Sequence, residues 1–289
     1  GVENRLVLLD RAADRRDLRN AGDRQEPAAN EGIRGRAQRH RIVPVGGERD
    51  EEDLAHDRGD RGEYRALDIG RQIAGNLLGA APLVKDAKLQ KYVNNVGRWV
   101  ANQSERSDLT WHFGVIESSD VNAFAAPGGY IFVTRGLYRL LQSEAELAGV
   151  LAHEVGHVIR QHHLKILQQS KLIDLGSQLV AKQVGGNDKV QGLIGSGAEI
   201  VSRSLDKDAE FEADRIAVVL ATRAGYDAFG LPTVLQQIGH FAKDNGDVAL
   251  LFKTHPHPDD RLGKLGSAMG DRFDGVKGKT LEKRLYRIK

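Results

Sequence analysis

Apolar residues recur with a helical period in four stretches of the chain. These stretches are residues 66–78, residues 86–101, the segment that begins at Ser143, and residues 164–184. The clearest is the second, where four apolar residues fall on one stripe: Leu89, Val93, Val96 and Val100. Such a stripe is buried against the rest of a domain, so the pattern predicts packed helices. Residues 185–197 carry five glycines and are predicted to connect helices, with a mobile lid as the alternative.

Between the second and third helical stretches the period of apolar residues changes to two. Trp111, Phe113 and Val115 alternate with polar or small residues, which predicts a strand, and residues 130–134 predict another. The passage between them, residues 120–129, is rich in turn-forming residues. We therefore expect an α+β fold, predominantly helical, with a small β-sheet beside the third helix. An edge strand in such a sheet could hold an extended peptide by main-chain pairing.

The first 62 residues differ in composition from the rest of the chain. Through Glu63 there is no aromatic residue and no Lys, while Arg and acidic residues alternate densely. Such a segment has too little apolar surface to offset the entropy lost on ordering. We expect residues 1–62 to be disordered or non-native, or to form a binding arm for an acidic partner. The folded domain is expected at residues 63–270, with a C-terminal tail at residues 271–289.

Composition and charge exclude several classes of protein. The net charge is +2, from 42 basic and 40 acidic residues, and no basic stripe interleaved with aromatic residues indicates nucleic-acid binding. Cysteine is absent, so any metal ion must be held by His and carboxylate side chains. No run of 18 apolar residues predicts a transmembrane helix, and the N-terminus shows no secretory signal pattern.

The stretch LAHEVGHVIR carries the candidate chemistry. It contains HExxH, with His153 and His157 four residues apart and Glu154 directly after the first. On a helix this spacing puts both imidazoles on one face, where they can share one metal ion. The pattern is the zinc metallopeptidase signature, in which the glutamate handles the proton of the attacking water. Ser143 and Glu146 form a capping box that predicts the start of this helix.

A catalytic zinc ion takes three protein ligands and keeps one position for water. His163 is a poor third ligand, because a continuous helix would carry it about 9 Å beyond His157. A glycine at position 160 could turn the chain back, but this chain has Arg160. We therefore expect His162 and His163 to be surface residues.

A better candidate lies on the helix predicted around residue 210. Glu210 and Asp214 are four residues apart, which is the ExxxD pattern of zinc peptidases with a glutamate ligand. Glu210 is the predicted third ligand, and Asp214 would accept the outer N–H of a ligand histidine. Glu212 points in a different direction and is expected to be solvated. Ala213 and Ala217 are small enough for close helix packing.

Four motifs resemble those of a known family. In chain order they are NAFAAPGGYIFVTRG at residues 122–136, HExxH at His153, the SRxxxxxxExEAD segment ending at Asp214, and THPHPDDR at residues 254–261. Over about residues 63–265 the chain is similar to the glutamate-zincin HExxH metallopeptidases. That family includes the CAAX prenyl protease, HtpX and the periplasmic beta-barrel assembly-enhancing protease. The chain resembles the soluble periplasmic branch, without its C-terminal helical repeats.

The resemblance implies a zincin-type domain with one zinc ion per chain. It implies three metal ligands, namely His153, His157 and Glu210, and makes Glu154 the general base and acid. It also implies a substrate-binding edge strand that contains Asn122, Ala123, Phe124 and Ala125.

The THPHPDDR motif is implied to lie near the zinc ion. His255 resembles a loop histidine that approaches the metal, either occluding it or stabilising the oxyanion. Arg261 resembles the arginine that anchors this loop. The alternative for His255 and His257 is a surface turn locked by Pro256 and Pro258.

Together these features predict a zinc-dependent metalloendopeptidase that hydrolyses unfolded or misassembled polypeptides. The family resemblance places such a protein in the periplasm, in envelope protein quality control. The alternative function is a chaperone-like binding protein whose zinc site is kept latent by the His255 loop. The expected partner is a polypeptide substrate, with no nucleic acid, while the oligomeric state and cleavage preference are not predicted.

Overall fold

The computed structural model describes residues 51–106, 108–166, 206–241 and 245–288, without the side chains of residues 51–65 and 253. The chain divides between Arg65 and Ala66 into two compact units, and the site lies in the unit that follows the division. Helix α1 (Glu51–Ala80) begins within the segment for which disorder was expected. The predicted glycine-rich connection and most of the helix predicted before it lie outside the described residues. The predicted domain limits stay predictions.

After α1 the chain forms one long helix, then a small sheet, and then a set of helices. In chain order they are α2 (Ala87–Ala101), β1 (His112–Ile116), β2 (Ala123–Ala126), β3 (Tyr130–Thr134), α3 (Arg135–Leu140), α4 (Glu144–Ile159), α5 (Lys207–Arg223), α6 (Gly230–Gly239), α7 (Ala249–Thr254) and α8 (Pro258–Met269). Short 3-10 helices occupy Gly246–Val248 and Glu282–Arg284. The predicted α+β class, predominantly helical with a small sheet, is confirmed. Within the described part of the chain, no helix has the length and apolar content needed to cross a bilayer.

The three strands form a mixed sheet in the order β1-β3-β2. Strand β1 runs parallel to β3, and β2 pairs with β3 antiparallel. Both predicted strands are present, but the apolar pattern alone missed β2, which lies in the passage expected to be turns. All four residues of β2 are buried, so the strand has no alternation of polar and apolar residues to reveal it. Strand β2 is one edge of this sheet and packs beside α4.

Helix α4 begins with the predicted capping box. The Ser143 hydroxyl accepts a hydrogen bond from the Glu146 amide (3.1 Å). The Glu146 carboxylate accepts one from the Gln142 amide (2.7 Å), one residue before the cap. Every residue from Glu144 to Val158 is buried, so α4 is a central helix and not the one-sided helix that its apolar stripe indicated.

The first turn of α4 binds the segment around residues 280–284. The carbonyl of Thr280 accepts a hydrogen bond from the Ala145 amide (3.0 Å). The fully buried Glu144 carboxylate accepts hydrogen bonds from the hydroxyls of Tyr92 (2.9 Å) and Tyr226 (3.0 Å). Arg284 completes this cluster at 3.1 Å from Glu144. The first turn of α4 is therefore tied to α2, to the segment after α5 and to the last residues of the chain.

Helices α4 and α6 are in close contact at two glycine residues, one on each helix. A Cβ atom on Gly149 would lie 2.6 Å from the backbone nitrogen of Leu231. A Cβ atom on Gly230 would lie 2.3 Å from the carbonyl oxygen of Ala145. Neither backbone atom belongs to a flexible side chain, so the two helices would have to separate to admit a methyl group.

We expect Gly149→Ala to lower the free energy of unfolding by about 1–3 kcal/mol, since it forces α4 and α6 apart. Gly263→Ala is the matched control, because Gly263 is exposed in α8 with no atom near its missing Cβ. The control should be neutral or stabilising by about 0.5–1 kcal/mol. Urea unfolding of both variants measures the difference, and equal effects would contradict the close-packing argument.

Candidate metal centre

Three predicted ligands meet between α4 and α5. His153 and His157 lie one turn apart on α4, with their Nε2 atoms 3.0 Å from each other. Glu210, in the first turn of α5, places Oε1 3.3 Å from Nε2 of His157 and Oε2 3.6 Å from Nε2 of His153. All three side chains are buried. Two imidazole nitrogens and a carboxylate therefore face one point in the interior.

Small residues let the two helices come together at this point. A Cβ atom on Gly156 would lie 3.3 Å from the Cα atom of Ala213, so the α4 and α5 backbones are nearly in contact. Ala213 and Ala217 are fully buried in the same contact region. The close helix packing that these alanines indicated is confirmed, and it brings the short Glu210 side chain within reach of both imidazoles.

His255 joins the cluster from the segment after α7. Its Nδ1 atom lies 2.7 Å from Oε2 of Glu210. One nitrogen or oxygen atom from each of the four residues His153, His157, Glu210 and His255 lies within 4.8 Å of all the others. His255 is buried, so the alternative of a surface turn is wrong for this residue, while His257 is partly exposed.

Asp214 and Arg261 support His153 from its outer side. Oδ1 of Asp214 lies 2.9 Å from Nδ1 of His153, and Arg261 holds the same carboxylate through Nη2 (2.6 Å) and Nε (2.9 Å). Burial alone would raise the pKa of Asp214, but the Arg261 charge and hydrogen bonds hold it below its usual range. Asp214 is therefore a carboxylate that accepts the Nδ1 proton of His153 and leaves Nε2 to face the cluster.

The histidines of the cluster differ in protonation when no metal is bound. Burial and Arg261 would lower the pKa of His153, but hydrogen bonds to Asp214 and Glu210 raise it to about 9. Burial holds the pKa of His157 well below its usual value, so this imidazole is neutral. A metal ion would have to displace a proton from His153.

Glu154 lies beside the cluster without belonging to it. Its side chain is almost fully buried and receives no hydrogen bond from the described part of the chain. Burial raises the pKa of its carboxyl group. Glu154 borders a small pocket together with His153, His255 and a wall of apolar side chains that includes Val150 and Leu235. A carboxylate in this position can exchange a proton with a molecule held in the pocket.

The cluster has the composition of a metal site. Oε1 of Glu210 is buried and accepts no hydrogen bond from the described residues, although Nε2 of His157 lies 3.3 Å away. A buried oxygen that faces an imidazole nitrogen without bonding it is satisfied when both bind the same cation. Two neutral imidazoles and one carboxylate form the donor set of catalytic zinc sites, so the residues present fit a zinc ion.

The expectation that His162 and His163 are surface residues is wrong. Both are buried, because α4 ends at Ile159 and the chain reverses at Gln161. Gln161 has φ 55°, a left-handed conformation, so the chain turns there without the glycine that was thought necessary at position 160. Nδ1 of His162 reaches within 2.9 Å of Nδ1 of His157. Glu212, which was expected to be solvated, is only about a third exposed and contacts His162.

Sequence comparison agrees with this geometry. The sequence model of the family described as "Peptidase family M48" matches residues 87–268. This match covers more than half of the chain and runs from the start of α2 into the last turn of α8. The chain belongs to peptidase family M48. The resemblance to the glutamate-zincin metallopeptidases is therefore confirmed.

Several named proteins of this family are similar to the chain. The beta-barrel assembly-enhancing protease of Escherichia coli is 30% identical over 206 residues, covering 68% of this chain and 42% of that protein. The mitochondrial metalloendopeptidase OMA1 of Arabidopsis thaliana is 31% identical over 64% of this chain and 37% of its own length. The metalloprotease YcaL of Escherichia coli is 26% identical over 68% and 72%. The chain spans about two fifths of the length of the first two relatives.

Removal of the Asp214 charge should destabilise the folded chain. We expect Asp214→Asn to lower the free energy of unfolding of the metal-free chain by about 3–5 kcal/mol, because it removes the carboxylate that binds the buried Arg261 directly and leaves only Oε2 of Glu210, at 3.9 Å, within ion-pair distance among the described residues. Denaturant titration of Asp214→Asn, Arg261→Met and the double variant measures this effect. The double variant should lose less than the sum of the single variants, and additive losses would contradict the pairing.

The stability that the Asp214–Arg261 pair contributes should decrease at acidic pH. The folded-state pKa of Asp214 is below that of the free side chain, so its contribution to stability is present above about pH 4 and is lost on further acidification. The difference in unfolding free energy between the metal-free wild type and Asp214→Asn should therefore shrink as the pH falls below about 4. A constant difference would contradict a buried ion pair.

Proposed function

We propose that this chain is a zinc-dependent metalloendopeptidase that binds one zinc ion. The observation that carries the proposal is the convergence of His153, His157 and Glu210 beside the buried Glu154. Structural zinc sites are closed by four ligands, whereas a catalytic site needs three ligands and a neighbouring proton acceptor. Two rigid helices provide three such ligands, His255 adds a fourth potential donor from the segment after α7, and Glu154 lies next to the first ligand in the sequence.

Each residue has a defined part in the proposed reaction. His153 and His157 offer Nε2 to the metal, and Glu210 offers a carboxylate oxygen. A zinc ion bound there would supply the Lewis acidity that activates water and polarises a peptide carbonyl. Glu154 is placed to take a proton from a water molecule at its carboxylate and to pass it to the leaving amine. Burial raises the pKa of Glu154, which favours the protonated form that passes a proton to the leaving amine.

Strand β2 is the proposed binding edge for the substrate. Asn122, Ala123, Phe124 and Ala125 lie at or in this strand, which is the outer strand of the described sheet on the side of α4. Ala123 borders the same pocket as His153 and Glu154. The buried Nδ2 of Asn122 has no hydrogen-bond acceptor among the described residues. A polypeptide added to this edge would pass the proposed metal ion and could accept that hydrogen bond.

The proposed substrates are unfolded or misassembled polypeptides of the periplasm. An edge strand recognises main-chain groups, which are exposed in unfolded chains and paired in folded ones. Support for the compartment comes from the similarity to beta-barrel assembly-enhancing protease, whose name refers to the assembly of beta-barrels. We propose a role in envelope protein quality control on this ground.

A specific contact favours a second, latent state of the same site. His255 pairs with Glu210 at 2.7 Å and lies where a fourth metal ligand or a substrate would come. Arg261, through its pair with Asp214, is the proposed anchor of this segment. In the alternative function, the chain is a chaperone-like binding protein whose zinc site is kept closed by His255. In the catalytic state, the same imidazole is proposed to stabilise the oxyanion.

We expect Glu154→Gln to bind one zinc ion per chain and to lose peptidase activity, because the amide keeps the shape but cannot take a proton. His153→Ala should lose both zinc and activity. Glu105→Gln, at an exposed position, is the control and should retain both. Zinc content by elemental analysis and hydrolysis of casein measure these outcomes. Retained activity in Glu154→Gln would refute its role as the general base.

The latent state predicts that His255→Ala hydrolyses casein faster than the wild type. His257→Ala is the matched control, because His257 lies in the same turn but outside the cluster. The control should keep the wild-type rate. Activity that falls in His255→Ala while zinc content is unchanged would instead favour a role for His255 in the reaction. No activity in any variant, with zinc present, would favour the binding function.

A further inference from the structure

The second ligand histidine, His157, has a hydrogen-bonded chain behind it. Nδ1 of His157 lies 2.9 Å from Nδ1 of His162, and Nε2 of His162 lies 3.3 Å from Oε2 of Glu212. The other oxygen of that carboxylate, Oε1, lies 2.9 Å from Nε of Arg160. His157 and His162 are buried, and the chain ends at the partly exposed Glu212 and Arg160. The proposed metal site is thereby linked to the protein surface.

The carboxylate at the outer end sets the direction of these hydrogen bonds. An ionised carboxylate only accepts, so Nε2 of His162 must carry the proton that faces Glu212. In neutral His162 the other ring nitrogen, Nδ1, is then an acceptor. The proton between the two rings must therefore belong to Nδ1 of His157. This leaves Nε2 of His157 with a lone pair directed at His153 and Glu210, which is the tautomer that a metal ligand requires.

The reverse direction is incompatible with the surroundings. If His162 donated to His157, then Nε2 of His162 would present a lone pair to the Glu212 carboxylate. In the same arrangement Nε2 of His157 would carry a hydrogen into the ligand cluster, where no metal could bind it. The first consequence places a lone pair against a carboxylate, and the second occupies the nitrogen that the metal needs, so the first direction is favoured in the metal-binding state.

The fold supplies both histidine ligands with a carboxylate from α5. Asp214 lies directly on His153 at 2.9 Å, four residues after Glu210. Glu212 lies on a different face of α5 and cannot reach His157 itself, so the His162 ring fills the distance between them. The left-handed turn at Gln161 brings this ring into place.

We propose that His162 and Glu212 form a positioning relay that holds His157 in its metal-binding tautomer and orientation. This inference rests on the proposed zinc site. Neither residue touches the metal position or a substrate, so they act through His157. Removal of such an outer partner typically weakens metal binding by about 10–100-fold, because the ligand ring is free to turn and loses basicity.

The test compares two substitutions that separate hydrogen bonding from packing. His162→Leu fills the space without an acceptor, whereas His162→Asn keeps an acceptor oxygen near the position of Nδ1. We expect His162→Leu to weaken zinc binding by about 10–100-fold and His162→Asn to stay within about threefold of the wild type. Competition with a chromophoric chelator measures zinc affinity. The visible spectrum of the Co²⁺-substituted chain, which reports ligand geometry, should shift only in His162→Leu.

Three further variants test whether a loss of zinc binding comes from altered folding. His163→Leu is the matched control, because His163 is the next residue and is also buried but is outside the relay. It should leave zinc affinity and the Co²⁺ spectrum unchanged. Glu212→Ala removes the outer, partly exposed end of the relay and should weaken zinc binding in the same direction as His162→Leu, whereas Glu212→Gln should weaken it less.

The outcomes distinguish the relay from the proposed function. Equal zinc affinity in wild type and His162→Leu would overturn the relay while leaving the peptidase proposal intact. Equal weakening by His162→Leu, His162→Asn and His163→Leu would also overturn it, because packing alone would then explain the loss. Failure of the wild type to bind zinc would overturn the proposed function itself.

Discussion

The contact between α4 and α5 is the constraint on which the site depends. Two helices with larger side chains at their crossing lie about 8–10 Å apart, and a glutamate on one would then reach the other only at its tip. Gly156 and Ala213 remove that spacing, so the first turn of α5 lies against the imidazoles of α4. Glu210 and Asp214 contact histidines of α4, and Glu212 contacts Arg160 and His162 directly after it, so these contacts follow from a single close crossing.

Close packing also creates an electrostatic problem that the surrounding residues solve. Two carboxylates, Glu210 and Asp214, are buried in the same interior, and an unpaired buried charge is strongly destabilising. Asp214 is compensated by Arg261, which binds both of its oxygens. Glu210 is compensated by imidazoles and, at 3.9 Å from its Oε2, by Nη1 of Arg261, and Oε1 accepts no hydrogen bond from the described residues. The network is thus complete around the supporting carboxylate and incomplete at the predicted ligand, which is where a cation would be stabilised most.

The sequence predicted the parts of this arrangement that depend on residues near each other in the chain. The HExxH spacing, the Ser143 cap and the four-residue step from Glu210 to Asp214 all follow from the helical period. Strand β2 was not detectable from its pattern, because burial on both faces removes the alternation. The position of His162 was mispredicted for another reason. A left-handed residue other than glycine costs about 1 kcal/mol, so the sequence does not predict one at Gln161. In the fold, this turn is accompanied by the contacts of the neighbouring His162 with His157 and Glu212.

Glu210 connects the latent and catalytic states proposed for the site. Its Oε2 atom pairs with His255, while Oε1 faces His157, so one carboxylate serves both the segment after α7 and the ligand cluster. A metal ion bound by Glu210 would compete with His255 for Oε2. A substrate that displaced His255 would free this oxygen for the metal. In the proposed scheme, closure by His255 and metal binding would be coupled through the Glu210 carboxylate, which contacts both.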